Sequence, residues 1–113
     1  MSIPVAVDEL AEALAPFADA FLMTTDPSTV PARVKVVSVR PVLDDGVLVV
    51  TAPGRGSLAN AGANPVVTVL WPPVEEGGMS LIVDGDAEVR DGGLRVRPTG
   101  GVLHRPAGEG HGA

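Results

Sequence analysis

The sequence predicts a single, mainly β domain, built as a small antiparallel barrel with an N-terminal helix and one short internal helix. Three observations carry this. Asp44-Asp45-Gly46 and Asp91-Gly92-Gly93 are turn signals of the hairpin type. The segment 79–90 alternates apolar and polar residues with the period of a half-buried strand. The segments 47–51 and 66–71 are apolar on both faces, so both of their faces need cover.

The chain of 113 residues has room for one core, with 45% hydrophobic and 19% charged residues, a composition that folds. Aromatics supply only 3% of it, as Phe17, Phe21 and Trp71, so the core has to be packed from Val, Ala and Leu. A domain of this size buries only roughly two thirds of its unfolded surface, which makes association with a second copy an expected source of stability. Residues 1–106 are read as the domain and 107–113, rich in glycine, as a flexible tail.

Along the chain, Asp8 is placed to cap a helix whose apolar side is Leu10, Leu14 and Phe17, and Pro16 ends or kinks it. A strand is expected at 20–25, followed by a turn at Asp26-Pro27-Ser28. The long segment 33–43 changes the parity of its polar residues near Val36-Val37, which predicts a bulge or bend there. It leads through Asp44-Asp45-Gly46 into the strand 47–51. The loop Pro53-Gly54-Arg55-Gly56 comes next, with Ser57 capping a short helix at 58–63 that Asn64-Pro65 ends. The strands 66–71, 79–90 and 94–103 complete the domain. Gly85, inside one of them, marks a bulge or a close backbone approach. Trp71 is read as core or interface packing.

The formal charge of −6 argues against a nucleic-acid or anionic-membrane partner, because such surfaces reward basic patches. The charge is uneven, however. Between Pro31 and Ser57, Arg33, Lys35, Arg40 and Arg55 face Asp44 and Asp45, so this segment carries +2 and the rest of the chain −8. These residues are either solvated strand positions or an anion site for one phosphate. The absence of cysteine excludes disulfides, thiol catalysis and thiolate metal sites, so redox work would need a bound cofactor. Met1-Ser2-Ile3-Pro4 lacks the flank and apolar core of a signal peptide, and no apolar run reaches the roughly 20 residues of a membrane span. The cytoplasm is the expected location.

Gly54-Arg55-Gly56-Ser57 follows a strand and opens a helix, so backbone N–H groups, the Ser57 hydroxyl and the Arg55 guanidinium can converge on an anion. The spacing matches neither a Walker loop nor a dinucleotide-binding fingerprint. Asp84, Asp86 and Glu88 share one strand face, which reads as a solvent face and not a metal site. His104 reads as a surface residue, and His111 falls in the tail. No residue qualifies from sequence as a catalytic acid or base.

The order of elements from Asp8 to Pro106 resembles the pyridoxamine 5′-phosphate oxidase-like split barrels. The likeness is best from Arg33 to Trp71. It covers the basic strand, the hairpin at Asp44-Asp45-Gly46, Val49-Val50-Thr51-Ala52-Pro53, the basic loop, Leu58 and Asn60, and Asn64-Pro65-Val66-Val67. The resemblance implies a six-stranded antiparallel split barrel, working as a homodimer with two flavin sites at the interface. It assigns the cofactor phosphate to Arg33, Lys35, Arg55 and Ser57, and the isoalloxazine ring to the strand at Val49, Val50 and Thr51. The cofactor it implies is FMN, with F420 as the alternative and haem less favoured. The chain lacks a convincing counterpart of the carboxy-terminal substrate segment of true pyridoxamine phosphate oxidases, since Arg95-Val96-Arg97-Pro98 is too slight. The function expected is a flavin-dependent oxidoreductase acting on an unidentified small molecule, with a non-catalytic dimeric flavin- or haem-binding module as the alternative.

Overall fold

The computed structural model describes residues 1–106; the tail expected at 107–113, His111 included, lies outside the described residues. The elements run β1 (Ser2–Val5), α1 (Leu10–Leu14), β2 (Ala20–Asp26), β3 (Arg33–Val39), β4 (Val42–Asp44), β5 (Val47–Val50), α2 (Arg55–Ala63), β6 (Val66–Trp71), β7 (Ser80–Arg90) and β8 (Gly93–His104). All pairings are antiparallel, and the order across the sheet is β3-β2-β6-β7-β8-β5-β4, with β1 added along the far half of β8.

Eight strands therefore stand among the described residues where six were expected. One addition is β1, whose register from Ser2 opposite His104 to Val5 opposite Gly101 uses the free edge of β8 beyond β5. The other arises because the expected strand 33–43 is two strands. Its break does not fall at Val36-Val37, since β3 pairs with β2 without interruption from Arg33 opposite Asp26 to Val39 opposite Ala20. It falls at Arg40-Pro41, where proline has no N–H to continue the ladder. β3 and β4 are thus the two halves of one bent strand and form the two ends of the hydrogen-bonded path. The sheet is not closed by pairing; the chain itself joins its ends.

The turns follow from local chemistry. Asp44 pairs with Val47 and Arg90 with Gly93, leaving two-residue loops. Both residues of each loop, Asp45-Gly46 and Asp91-Gly92, have φ between 51° and 80°, the primed-turn geometry that matches strand twist. α1 begins differently from the expectation. Asp8 lies within a 3₁₀ turn at Val7–Glu9, and it is Glu9 that reaches back to accept from the Ala6 N–H at 3.0 Å.

The core is the inner face of the sheet: Leu22 of β2, Leu48 and Val50 of β5, Val67, Val69 and Trp71 of β6, Leu81 and Val83 of β7, and Leu94 and Val96 of β8. α2 lies across β2 and β7, and its Ala61 is buried with these side chains. Gly85 shows both features expected of it. The register shifts between Asp84 and Gly85, and a Cβ at Gly85 would come within 2.6 Å of Val96 Cγ1 and 2.7 Å of the Arg97 carbonyl.

The outer face is also apolar along one row. Phe21 stands opposite Leu70, Leu70 opposite Ile82, Ile82 opposite Val102 and Val102 opposite Pro4. Beside this row Val34 and Val36 of β3 are 66% and 53% exposed, and Phe21 itself 40%. Among the described residues, no helix is long and apolar enough to cross a membrane.

Candidate functional site

α2 starts earlier than the sequence suggested. Gly54, at φ 101°, provides the entry that an L-residue rarely adopts, and Arg55, Gly56 and Ser57 form the first turn. Ser57 is therefore not the cap but the third helical residue. The helix has no side-chain cap and no acidic residue in its first turn. The first backbone bond across its start is from the Leu58 N–H to the Gly54 carbonyl, at 3.1 Å. The N–H groups of the first turn are left to point outward, at the positive end of the helix.

Two cations stand at that positive end. Arg55 is the first helical residue. Lys35 arrives from β3, where it lies opposite Thr24 and so on the inner face of the sheet at its rim. A Cβ on Gly56 would sit 3.0 Å from Lys35 Cε and 3.3 Å from Nζ, so the ammonium group lies over the first turn, and glycine is what admits it. Neither cation makes an ion pair within the described residues. In the same turn Ser57 is fully buried and its Oγ has no hydrogen-bond partner. Cations at a helix N-terminus are unfavourable in isolation, and a buried hydroxyl without a partner costs roughly 1–3 kcal/mol. An anion bound at the helix end offsets the first of these.

The remaining cations of the basic segment divide. Arg33 lies on the same face of β3 as Lys35, beside Asp26. The Asp26 carboxylate is held below the ordinary range, first by the Ser28 hydroxyl and backbone N–H that donate to it at 2.6 and 2.9 Å, and then by the Arg33 charge. Arg40 is at the opposite end of the strand and donates from Nε and Nη2 to Asp19 Oδ1, at 2.9 and 2.7 Å. The basic segment thus resolves into a cluster at α2, formed by Lys35, Arg55 and Ser57 with Arg33 nearby, and a separate surface pair.

Between β5 and α2 the chain runs along a cleft of about 330 Å³, lined by Val49, Val50, Thr51 and Ala52 on one side and by Arg90 to Arg95 on the other. Val49 is half-buried and faces outward, and Thr51 is exposed. The Val50 side chain belongs to the core, at 1% exposure, so only its backbone is available to the cleft. From Ala52 to Arg55 the chain can span no more than about 11 Å, so the cleft and the helix N-terminus lie within reach of one extended ligand. The sequence did not single out the second wall. Gly93 approaches so closely that a Cβ there would stand 2.6 Å from the Val50 carbonyl. Ala52, at φ 48°, is a non-glycine residue in the left-handed region, a conformation costing roughly 1–2 kcal/mol. Nor did the sequence identify Thr24, which is fully buried and accepts from Asn60 Nδ2 at 3.1 Å, pinning α2 to β2.

The other candidates make contacts within the fold. Asp84 accepts from the Thr68 hydroxyl at 2.6 Å, Asp86 faces Arg97 and Glu88 faces Arg90, and no metal-ligating cluster exists among the described residues. His104 shares a hydrogen bond with Ser2 Oγ across the β1–β8 ladder, at 3.0 Å. Trp71 is fully buried, with its indole N–H unpaired.

The fold has counterparts among solved structures. A FAD-binding protein of Mesorhizobium loti superposes with a TM-score of 0.67 at 17% identity, covering 94% of this chain and 98% of its own. The FAD binding protein of Mycobacterium smegmatis superposes with a TM-score of 0.67 at 24% identity, over 93% of this chain and 100% of its own. A Corynebacterium glutamicum protein, provisionally named a pyridoxamine 5′-phosphate oxidase, gives 0.63 at 18% identity, over 90% and 92% of the two chains. The protein has the fold of these structures, the one implied by the resemblance in sequence. No model of a known protein family matches the chain. In sequence it is 38% identical to the uncharacterized proteins Mb0449c of Mycobacterium bovis and MT0457 of Mycobacterium tuberculosis, over 87% of this chain and 78% of theirs. The chain belongs to the family of these mycobacterial proteins.

Proposed function

We propose that the protein is a homodimeric flavin-binding oxidoreductase that holds the phosphate of FMN at the N-terminus of α2. The observation that carries the reading is the uncapped first turn, with Lys35 and Arg55 at its positive end and the buried, unpartnered Ser57 hydroxyl in the same turn. A phosphate matches each element of this donor set: the hydroxyl and backbone N–H groups donate, and the two cations neutralise. Arg33 adds a more distant positive charge. The flavin names of two structural counterparts, and the cleft along Val49–Ala52 within reach of the anion site, support a flavin over other phosphate esters. F420, which also carries a phosphate, is the alternative ligand.

When bound, the flavin supplies hydride or electron transfer, which this cysteine-free chain cannot supply itself. The contribution of the chain is binding and orientation. Lys35, Arg55 and Ser57 fix the phosphate end, and Val49, Thr51 and the Val50 backbone present a surface for the ring. The test is an absorbance spectrum of the protein purified from its native host, followed by titration with FMN, F420 and haem. A flavin is expected to bind, and Arg55→Ala to weaken it by roughly 1.5–3 kcal/mol, the usual contribution of a hydrogen bond to a charged group. Binding unchanged in that variant rules out the phosphate assignment. Reduction of the bound flavin by a nicotinamide donor and reoxidation by an acceptor would mark an enzyme; a flavin that never cycles would mark a carrier.

A further inference from the structure

We infer that Arg95 forms a second anion subsite, at the wall of the cleft facing β5, and that it receives the carboxylate of an organic substrate. The inference builds on the flavin reading, because it places this substrate in the cleft assigned to the ring. On the outer face of the sheet Arg95 of β8 stands between Val49 of β5 and Glu88 of β7 in the ladder register. The carboxylates of this face are engaged elsewhere: Glu88 lies 3.8 Å from Arg90, and Asp86 lies 3.9 Å from Arg97. Arg95 is exposed and has neither an ion pair nor a side-chain hydrogen bond among the described residues, although Glu88 is directly across from it.

Its position gives that unpaired charge a role. The cleft of about 330 Å³ opens beside a wider cavity of about 700 Å³, and Arg90 and Arg95 line both. Of the three arginines that line the two cavities Arg95 alone has no ion pair among the described residues; the wider cavity carries one positive charge more than its two carboxylates, and Asp91 in the β7–β8 turn adds one carboxylate to the narrower cleft. A single guanidinium presents two parallel N–H groups, the geometry that pairs with one carboxylate. A phosphate dianion is better matched by the separate group of Lys35, Arg55 and the helix N-terminus. Val49 and the glycine backbone at 92–93 supply an uncharged floor beside the guanidinium, the usual make-up of a small-molecule site.

The experiment is a calorimetric titration of the full chain with benzoate and with its neutral isostere benzamide, run with FMN titrations on the same preparations. Benzoate is expected to bind at least tenfold more tightly than benzamide. Arg95→Gln is expected to abolish this preference, whereas Arg97→Gln, which removes a cation already paired with Asp86, retains it. FMN affinity is expected to fall in Arg55→Ala and by a much smaller factor in Arg95→Gln. Equal binding of the two probes by the wild-type protein, or a preference that survives Arg95→Gln, overturns the subsite. A loss of FMN affinity in Arg95→Gln as large as in Arg55→Ala also overturns it, by giving Arg95 to the cofactor. Failure of the wild-type protein to bind FMN, with the benzoate preference intact and lost in Arg95→Gln, removes the flavin reading and upholds the subsite.

Discussion

Ser57 is the residue at which the energetics of the fold and the proposed chemistry part company. Its hydroxyl is buried without a partner, so Ser57→Ala is expected to stabilise the ligand-free protein by about 1 kcal/mol, because an unsatisfied polar group is removed at almost constant volume. The same change is expected to weaken FMN binding by roughly 1.5–3 kcal/mol. Urea denaturation and flavin titration of one variant measure the two opposite signs. Asp26 provides a second residue-scale test. Its pKa is lowered by the Ser28 hydrogen bonds and then by Arg33, so the folded state favours the ionised form. Its contribution to stability is therefore present above the ordinary carboxylate value near 4 and is lost as pH falls through the lowered folded value. Asp26→Ala is expected to cost stability at pH 7, and progressively less as the pH is taken below about 4, in denaturant titrations across that range. The sequence pointed to Lys35, Arg55 and Ser57 through their charge and their place after a strand. It misread the part played by Ser57, because a serine just after Gly-Arg-Gly looks like a cap until Gly54 is seen to start the helix. Arg95 was passed over, because whether an arginine is paired depends on three strands that meet only in the folded sheet.

At the scale of elements, two glycines of similar appearance in sequence have opposite requirements. Gly85 sits where the β7–β8 register shifts and where any Cβ meets Val96 and the Arg97 carbonyl, so Gly85→Ala is expected to destabilise by roughly 1–3 kcal/mol. Gly62 lies in α2 and the nearest atom to a Cβ there is Val89 Cγ2, at 3.9 Å, an ordinary contact. Gly62→Ala is expected to stabilise by roughly 0.5–1 kcal/mol, through the better helix propensity of alanine. Urea midpoints of the two variants against the wild type decide both. The hairpins were legible because Asp-Gly at φ above zero is a local property of two residues. The bend in the strand 33–43 was legible as a bend but not in place: polar parity suggested Val36-Val37, whereas the missing N–H of Pro41 sets it. The parity changes because Arg33 and Lys35 stand on the inner face at its rim, where Lys35 meets the first turn of α2, which a reading of charges as outward-facing cannot anticipate. β1 had no signal of its own. Its four residues become a strand only because β8 is longer than β5 and leaves an edge free.

At the scale of the whole molecule, an open sheet with two apolar faces poses a problem that one short chain does not solve. α2 and the curl of the sheet cover the inner face, while the row from Phe21 through Leu70, Ile82 and Val102 to Pro4 lies on the outer one. The sequence already asked for cover on both faces of the strand 66–71, since Val67, Val69 and Trp71 alternate with Val66, Thr68 and Leu70, of which Thr68 alone is polar. A second copy pairing through the outer row would answer this, given that a specific interface of standard size buries about 800 Å² on each partner. Val36 is the position at which to test it, because its side chain is 53% exposed on the face opposite Lys35 and touches neither the anion site nor the core. Val36→Glu places a carboxylate against an apolar partner surface, where burying an unpaired charge costs several kcal/mol, but leaves it in water in the monomer. Sedimentation of the wild-type protein is expected to show a dimer and that of Val36→Glu a monomer with unchanged far-ultraviolet circular dichroism. A wild-type protein that is monomeric at micromolar concentration removes the dimer, and a Val36→Glu protein that still dimerises moves the interface away from the β2–β3 face. If the monomeric variant also fails to hold FMN while Lys35, Arg55 and Ser57 are intact, the partner subunit completes the flavin site; if it holds FMN as tightly as the dimer, the first turn of α2 and the cleft along β5 suffice within one chain.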